Sequence, residues 1–241
     1  MPSGEKSLLR EKKVVSWLNE IAGDATEIFL VGDIFDFWFE YKTVVPKGFF
    51  QLLATLRSIT EKGISVKIFP GNHDLWMFDY LEEHCGVEIF RNALEFSTEK
   101  HLFFVHHGDG LGPGDPGFKF LKKIFRARFA QFLFRWLHPD IGIRLATGWS
   151  KKSRLAQDPQ EDQYLGDDKE YLTQFILQDA EARSNKGEQV PDFYIFGHRH
   201  LVIDRSFERG DKIVRYINLG HWFQVGQYAV YDGQDLKIEW L

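Results

Sequence analysis

The chain contains very little cysteine and no long apolar run, and each absence excludes a class of protein. Cys85 is the single cysteine in 241 residues, which excludes an internal disulfide and fits a reducing compartment. No stretch approaches the roughly eighteen uninterrupted apolar residues that a membrane span requires. The first residues, MPSGEKSLLREKK, are polar and charged, so we expect no signal peptide. These features predict a cytoplasmic protein.

An excess of positive charge is also missing. The formal net charge is -5 at pH 7, so nucleic acid is not an expected partner. Of the residues, 44% are hydrophobic, and 23 phenylalanines and 7 tryptophans are among them. A chain of this size and composition can bury a sizeable core, as one large domain or two small ones. We predict a single domain over residues 1–241.

Apolar patterns predict helices and strands that alternate in the first half of the chain. A helix over SLLREKKVVSWLNEIAG precedes the strand IFLV, and a helix over FFQLLATLRSITEKG precedes the strand ISVKIFP. This alternation is typical of βαβ units in a partly parallel sheet. In the second half, DFYIF, DKIVRYINLG, FQVGQYAVYDG and LKIEWL predict short strands of an antiparallel continuation. The predicted fold class is α/β, with mixed sheets flanked by helices.

Four predicted strands each end in a polar cluster: GDIFD with Asp33, GNHD at 71–74, HHGD at 106–109 and GHRH at 197–200. In an open α/β sheet the carboxyl ends of strands gather where ligands bind. Aspartate, asparagine and histidine together suit Mn, Fe or Zn better than a cysteine-rich structural zinc site. Any one cluster is equally compatible with a turn or a core histidine. Their joint occurrence favours a metal centre for hydrolysis.

These motifs resemble those of the calcineurin-like metallophosphoesterases, whose pattern is D-x-H, GD-x-x-D, GNH-D/E, a histidine after a strand, and GH-x-H. The resemblance extends from about residue 28 to 200. Within that superfamily, GDIFDFW, HHGDGLGPGDPGF and the basic aromatic segment after it are similar to the UDP-2,3-diacylglucosamine hydrolases of lipid A biosynthesis. The resemblance implies that water cleaves the pyrophosphate of a UDP-linked diacylated sugar, releasing UMP and the diacylglucosamine 1-phosphate.

The resemblance also implies a role for each residue at a matching position. Asp33 would bridge two divalent metal ions, most simply Mn, with Fe or Zn as alternatives. Asn72, His107 and His198 would complete one metal site, and His200 would belong to the other. Such a pair of ions lowers the pKa of a bound water and holds the phosphoryl oxygens. His73 would be the catalytic residue that neutralises charge or donates a proton to the leaving oxygen, and His106 would be a neighbour rather than a ligand.

Two features depart from the family pattern. No Asp-x-His occurs anywhere in the chain, which leaves one metal site with only Asp33 and His200. We interpret this as a missing first strand in a truncated chain, and the alternative is a homologue that binds metal or ligand without turnover. The better-known branch of the hydrolases has arginine where this chain has His73, and a histidine at this position agrees with the wider superfamily.

A helical insertion is predicted at about residues 116–185. Between 116 and 139 it has six basic residues, no acid and many aromatic residues. As one helix, it would place these side chains on a single face: Phe118, Leu121, Phe125, Phe129, Phe132 and Trp136. This pattern fits either a core helix with a solvated basic face or an interfacial helix that contacts acyl chains and anionic headgroups. The resemblance favours the lipid alternative and implies substrate contacts from Phe118, Ser150 and Arg154.

Three functions are therefore compatible with the sequence. The first is hydrolysis of a UDP-diacylated amino sugar by a peripheral protein on the inner face of the cytoplasmic membrane. The second is a metallophosphoesterase acting on a soluble nucleotide or phosphodiester. The third is a binding protein without turnover.

Overall fold

The computed structural model of the chain describes residues 5–114, 116–156, 163–164, 166–210, 212–222 and 226–241. For residues 5–6 and 149–156 it describes the backbone alone. The chain divides into two units. Unit 1 comprises Met1–Arg91 and Phe120–Gln157, and unit 2 comprises Asn92–Lys119 and Asp158–Leu241.

Unit 1 contains a parallel three-stranded sheet with the order β1-β2-β3. Its first elements are α1 (Glu5–Ile21), β1 (Glu27–Leu30), α2 (Phe50–Glu61), β2 (Ser65–Ile68), α3 (Tyr80–Cys85) and β3 (Glu88–Ile89). Helix α2 buries one face, formed by Leu52, Thr55, Leu56 and Ile59, because these positions recur at the spacing of a helical turn. The parallel pairing of β1 with β2 confirms the predicted βαβ arrangement.

Helix α1 is confirmed, and its apolar residues differ in burial. Trp17 and Leu18 are buried, whereas the side chains of Leu8 and Leu9 are about 60% exposed (59% and 60%). The carboxylate of Glu11 accepts a hydrogen bond from the backbone N–H of Leu52 at 3.1 Å. Because that N–H lies in the first turn of α2, the carboxylate satisfies a donor that the helix itself leaves unpaired.

Unit 2 contains a mixed five-stranded sheet with the order β4-β5-β6-β8-β7 and a two-stranded antiparallel sheet. Its strands are β4 (Leu94–Ser97), β5 (Leu102–His106), β6 (Phe193–Phe196), β7 (Val202–Arg209), β8 (Lys212–Leu219), β9 (Gln227–Tyr231) and β10 (Leu236–Trp240). Strands β5, β6 and β8 are parallel neighbours, and β7 pairs antiparallel with β8. The antiparallel continuation is confirmed for β9 and β10. It is wrong for DFYIF and DKIVRYINLG, because β6 and β8 pair parallel. The antiparallel partner of β8 is β7, a strand that was not predicted.

The predicted insertion contains α4 (Pro116–Arg126), α5 (Arg128–Arg135), α6 (Pro139–Ala156) and most of α7 (Tyr171–Lys186). The expectation of one helix over 116–139 is wrong, because Ala127 is extended (φ -70°, ψ 125°) and separates α4 from α5. The carbonyl of Phe125 accepts hydrogen bonds from the indole N–H of Trp76 at 2.8 Å and from the Gln131 amide at 3.1 Å. These side chains replace the helical partners that the carbonyl would otherwise need.

The break changes which aromatic side chains are buried. In unit 1, Phe125 and Phe134 pack against an aromatic cluster formed by Phe37, Phe39, Tyr41 and Trp76. Phe129, Phe132 and Trp136 remain exposed, at 72%, 55% and 77%. Among the described residues, the helices are all too short or too polar to cross a bilayer. The mixed α/β class is confirmed, and the single-domain organisation stays a prediction.

Candidate metal centre

Asp33 lies just beyond the end of β1, on a loop that contacts the loop after β2. Its backbone is in the left-handed region, with φ 52°. Its Oδ1 accepts a hydrogen bond from the backbone N–H of His73 at 2.9 Å. A Cβ at Gly71 would lie 2.2 Å from that same Oδ1 and 2.6 Å from the Asp33 nitrogen. Only glycine allows this approach, so the GD loop at 32–33 and the GN loop at 71–72 pack directly against each other.

Asp74, the last residue of GNHD, connects the two loops. It is fully buried. Its carboxylate accepts hydrogen bonds from the backbone N–H groups of Ile34 at 2.8 Å, Phe35 at 3.2 Å and Gly71 at 2.7 Å. Hydrogen bonds to a charged group contribute about 1.5–3 kcal/mol each. Asp74 therefore holds Asp33 beside the half-buried Asn72 and His73.

Glu40 makes a second connection between the same two segments. Its side chain is buried, and one carboxylate oxygen accepts N–H bonds from Phe78, Asp79 and Tyr80 at 2.6, 2.8 and 3.1 Å. The other oxygen accepts the indole N–H of Trp38 at 2.9 Å. A buried carboxylate with this many donors is compensated for its lost hydration. Sequence reasoning missed Glu40, and it placed Asp74 in the GNHD cluster without assigning it a role.

In unit 2, His107 follows β5 directly and is buried. Its neighbour His106 accepts a hydrogen bond at Nδ1 from the backbone N–H of Gly108, at 2.8 Å. This bond occupies the Nδ1 lone pair of His106. Gly108 has φ 112°, and a Cβ there would lie 3.4 Å from the Cβ of His198. The positive φ is the feature that favours glycine at this position, and the two loops are in van der Waals contact there.

His198 is next to His107, as the strand order predicts. The backbone N–H of Gly197 donates to the carbonyl of His107 at 3.0 Å, and His198 itself is left-handed with φ 63°. The two imidazole centres are 5.1 Å apart, with an angle of 68° between the ring planes. The ring centre of Phe118 is 6.4 Å from that of His198, with an angle of 29° between the ring planes.

Two buried polar groups fix the GHRH loop. The amide of Asn218, a fully buried residue of β8, donates to the carbonyls of Arg199 and Leu201 at 2.8 and 2.5 Å. The guanidinium of Arg199 lies 3.3 Å from the carboxylate of Glu170, which is 2% exposed. Burial raises the pKa of Glu170, and the charge of Arg199 partly opposes that rise.

His200 lies beside His221, a residue that sequence reasoning missed. The ring centres are 5.4 Å apart and the planes are nearly perpendicular, at 87°. The signal was present, because His221 follows Gly220 directly after the apolar end of β8, as His198 follows Gly197 after β6. The motif is short, and it lacks the second polar residue that marked the other clusters.

The described ligand side chains fit a divalent metal by their chemistry. Two imidazoles that bind one ion through nitrogens at about 2.1 Å have ring centres about 4.5–5.5 Å apart when the ligand angle is near 90–110°. The 5.1 Å between His107 and His198 agrees with this value. Asp33, His107 and His198 each offer one ligand atom. His107 is buried, and the other two are half-buried.

The two other predicted substrate contacts, Ser150 and Arg154, lie in the part of α6 whose side chains fall outside the described residues.

Comparison with known proteins identifies similar hydrolases. The chain is 33% identical over 236 residues to the UDP-2,3-diacylglucosamine hydrolase of Porphyromonas gingivalis. The alignment covers 95% of this chain and 88% of that protein. It is 25% identical over 225 residues to the UDP-2,3-diacylglucosamine hydrolase of Vibrio cholerae El Tor, with 91% and 87% covered. No protein-family model matches the chain.

Solved structures show weaker similarity. A double mutant of Vps29 from Entamoeba histolytica is 12% identical, with 94% of this chain and 87% of that chain covered, and the TM-score is 0.37. Wild-type Vps29 from the same organism, in complex with Zn²⁺, is 12% identical with 89% and 97% covered, and the TM-score is 0.31. Scores this low do not establish a common fold by themselves.

Proposed function

Because the chain belongs to the UDP-2,3-diacylglucosamine hydrolase family, we propose that it hydrolyses the pyrophosphate bond of UDP-2,3-diacylglucosamine in lipid A biosynthesis. Water is added across the bond, and the products are UMP and 2,3-diacylglucosamine 1-phosphate. The observation that carries this proposal is the 33% identity over 95% of the chain. The two pairs of loops after β1 and β2, and after β5 and β6, support it because they present the expected ligand types at strand ends.

We propose that the chain uses two divalent ions, with Mn as the first choice. Asp33 would bridge them, Asn72, His107 and His198 would complete one site, and His200 would belong to the other. Bound divalent ions supply an activated water and neutralise charge on the phosphoryl oxygens. The residues contribute geometry: Asp74 orients the Asp33 loop, and Gly108 provides the positive φ that the loop after β5 requires.

His73 is proposed to act on the leaving group. Its backbone N–H is bound to Asp33 at 2.9 Å, which fixes the start of its side chain beside a proposed ligand. From that position the imidazole would donate a proton to the leaving phosphate oxygen or neutralise its charge. Phe118, which lies against His198, would contact the substrate near the metal, and Ser150 and Arg154 would bind its polar groups.

The test is release of UMP from UDP-2,3-diacylglucosamine in the presence of Mn²⁺. We expect turnover by the wild-type chain and at least about a hundredfold loss in His107→Ala and Asp33→Ala, because each removes a proposed ligand. His84→Ala is the matched control, since His84 is an exposed histidine of α3. Absence of UMP from a folded, Mn-loaded wild-type chain would contradict the proposed substrate and favour a different phosphoester or a binding role.

A membrane surface is proposed as the second partner, reached through α4 and α5. Phe120, Phe129, Phe132 and Trp136 are between 55% and 77% exposed. The same two helices carry no acidic residue, and their exposed basic residues include Lys123, Arg128 and Arg135. Exposed aromatic rings beside cationic side chains are what a peripheral helix needs to bind an anionic bilayer. This arrangement supports peripheral association with the inner face of the cytoplasmic membrane.

Sedimentation with phosphatidylglycerol vesicles tests this second proposal. We expect the wild-type chain to pellet with the vesicles, and a Phe129→Ser, Phe132→Ser, Trp136→Ser variant to stay in the supernatant. Raising the salt concentration should also release the protein, because ionic attraction to headgroups is screened. Equal pelleting of the triple variant and the wild type would show that α5 does not face lipid.

A further inference from the structure

His221 has the position of a fifth strand-end ligand. Strand β8, which it follows, is the parallel neighbour of β6, and Phe196 is in register with Asn218. The loops after these two strands therefore leave the same edge of the sheet next to each other. One loop carries His198 and His200, and the other carries His221.

The backbone of His221 is held by buried polar contacts on both sides. The side-chain amide of Gln227, which is 5% exposed, donates to the carbonyls of Leu219 at 2.7 Å and His221 at 2.8 Å. The indole N–H of Trp222 donates to the carbonyl of Gln227 at 2.7 Å. Gly220 has φ 68°, and a Cβ there would lie 2.5 Å from the Gln227 amide nitrogen. This segment is organised around the histidine to a degree that a solvated turn does not require.

The ring geometry matches that of two imidazoles on one ion. The 5.4 Å between the ring centres of His200 and His221 falls in the range of about 4.5–5.5 Å expected for two nitrogens that bind the same metal. The near-perpendicular planes resemble the 68° arrangement of His107 and His198. Two histidine pairs with similar distances between ring centres thus lie at the carboxyl ends of neighbouring parallel strands.

We propose that His221 binds the same divalent ion as His200. This inference rests on the proposed function in one respect, namely that His200 is a metal ligand. An imidazole nitrogen is a ligand that Mn, Fe and Zn all accept.

The experiment measures Mn²⁺ binding without substrate. Chelator-treated wild type, His221→Ala, His200→Ala and the double variant are titrated with MnCl₂ by calorimetry, and bound Mn²⁺ is counted by electron paramagnetic resonance. We expect His221→Ala to lower the affinity for one Mn²⁺ ion about tenfold or more and to leave the affinity for the other unchanged. The double variant should lose little beyond His200→Ala, because both residues act on one ion.

Two controls keep the result interpretable. His84→Ala should bind Mn²⁺ as the wild type does, and metal-free circular dichroism and melting should show that His221→Ala is folded. If that alanine variant fails to fold, His221→Gln replaces it, because glutamine is closer in size to the imidazole and binds these metals poorly. Wild-type affinity for both ions in a folded His221 variant would overturn the inference and leave the histidine pair a packing contact.

The inference and the proposed function can fail separately. Because the titration contains no UDP-linked sugar, weakened Mn²⁺ binding in His221→Ala supports the ligand assignment even if the wild-type chain releases no UMP. Conversely, UMP release with unchanged Mn²⁺ affinity in the variant supports the hydrolase and rejects the additional ligand.

Discussion

At the scale of single residues, Gly71 is the position where the loop carrying Asp33 leaves least space. A Cβ would lie 2.2 Å from Asp33 Oδ1, so Gly71→Ala must push the loops after β1 and β2 apart. We expect the free energy of unfolding to fall by about 1–3 kcal/mol, as for other overpacked sites. Mn²⁺ affinity should fall with it, and urea unfolding together with Mn²⁺ titration measures both.

Gly148 provides the matched control for this substitution. It lies in α6, and a Cβ there would meet no atom within 4 Å. Gly148→Ala should therefore stabilise unit 1 slightly, by about 0.5–1 kcal/mol, because alanine is the better helix former. Equal effects of the two substitutions would show that the close contact between Gly71 and Asp33 is unimportant.

Also at the residue scale, Glu170 makes stability depend on pH. Its folded pKa is raised, chiefly by burial. The carboxyl of Glu170 therefore holds its proton more tightly in the folded chain than in the unfolded chain. The contribution of Glu170 to the free energy of unfolding is fully present below the unfolded pKa, and it is lost as pH rises through the raised folded pKa.

Glu170→Gln removes this titration. We expect the stability of the wild type relative to the variant to decrease as the pH rises above the ordinary glutamate pKa of about 4.3. Urea unfolding of both proteins at several pH values checks this expectation. A difference that does not change with pH would mean that Glu170 titrates alike in both states.

At the scale of elements, the break between α4 and α5 assigns different roles to neighbouring phenylalanines. Phe134 packs against Phe39 and Trp76, with ring centres at 4.8 and 4.7 Å, whereas Phe132 is 55% exposed. One continuous helix would instead have placed Phe132 on the shared aromatic face. The extended backbone at Ala127 is the reason that Phe134 is packed and Phe132 is exposed.

Alanine substitutions separate these roles. Phe134→Ala should lower the free energy of unfolding by about 2–4 kcal/mol, because it leaves a cavity in the aromatic cluster. Phe132→Ala should change it by less than about 0.5 kcal/mol and should weaken vesicle binding instead. Thermal melting and vesicle sedimentation of both variants provide the comparison, and equal destabilisation would contradict the two-helix arrangement.

At the scale of the whole molecule, metal binding should stabilise the folded chain. A ligand that binds only the folded state at a hundred times its Kd adds about 2.7 kcal/mol to the free energy of unfolding. We expect Mn²⁺ to raise the melting temperature of the chelator-treated wild type by several degrees. Calorimetric melting with and without Mn²⁺ measures this shift.

His107→Ala is the informative variant for that measurement. It should lose much of the Mn²⁺-dependent shift, because His107 is a proposed ligand, whereas exposed His84→Ala should keep all of it. A wild-type melting temperature that does not respond to Mn²⁺, Fe²⁺ or Zn²⁺ would argue against a resident metal in this chain.

The amino-acid sequence by itself determined where the strands lie and which polar residues follow them. Runs such as IFLV and DFYIF are apolar over the length of a strand, and the residues after them, Asp33 and His198, stand at strand ends in the structure. Such patterns are local, since they depend on the alternation and length of apolar segments. The mixed α/β class followed from the same signals.

The tertiary structure alone decided how those residues are held and which others join them. Asp74 and Glu40 bind backbone N–H groups about 40 residues away, and the Trp76 indole binds the chain at the end of α4. His221 stands beside His200 only because β8 pairs parallel with β6. A buried hydrogen bond depends on what lies nearby in space, and no local pattern in the chain records which distant donor will arrive there.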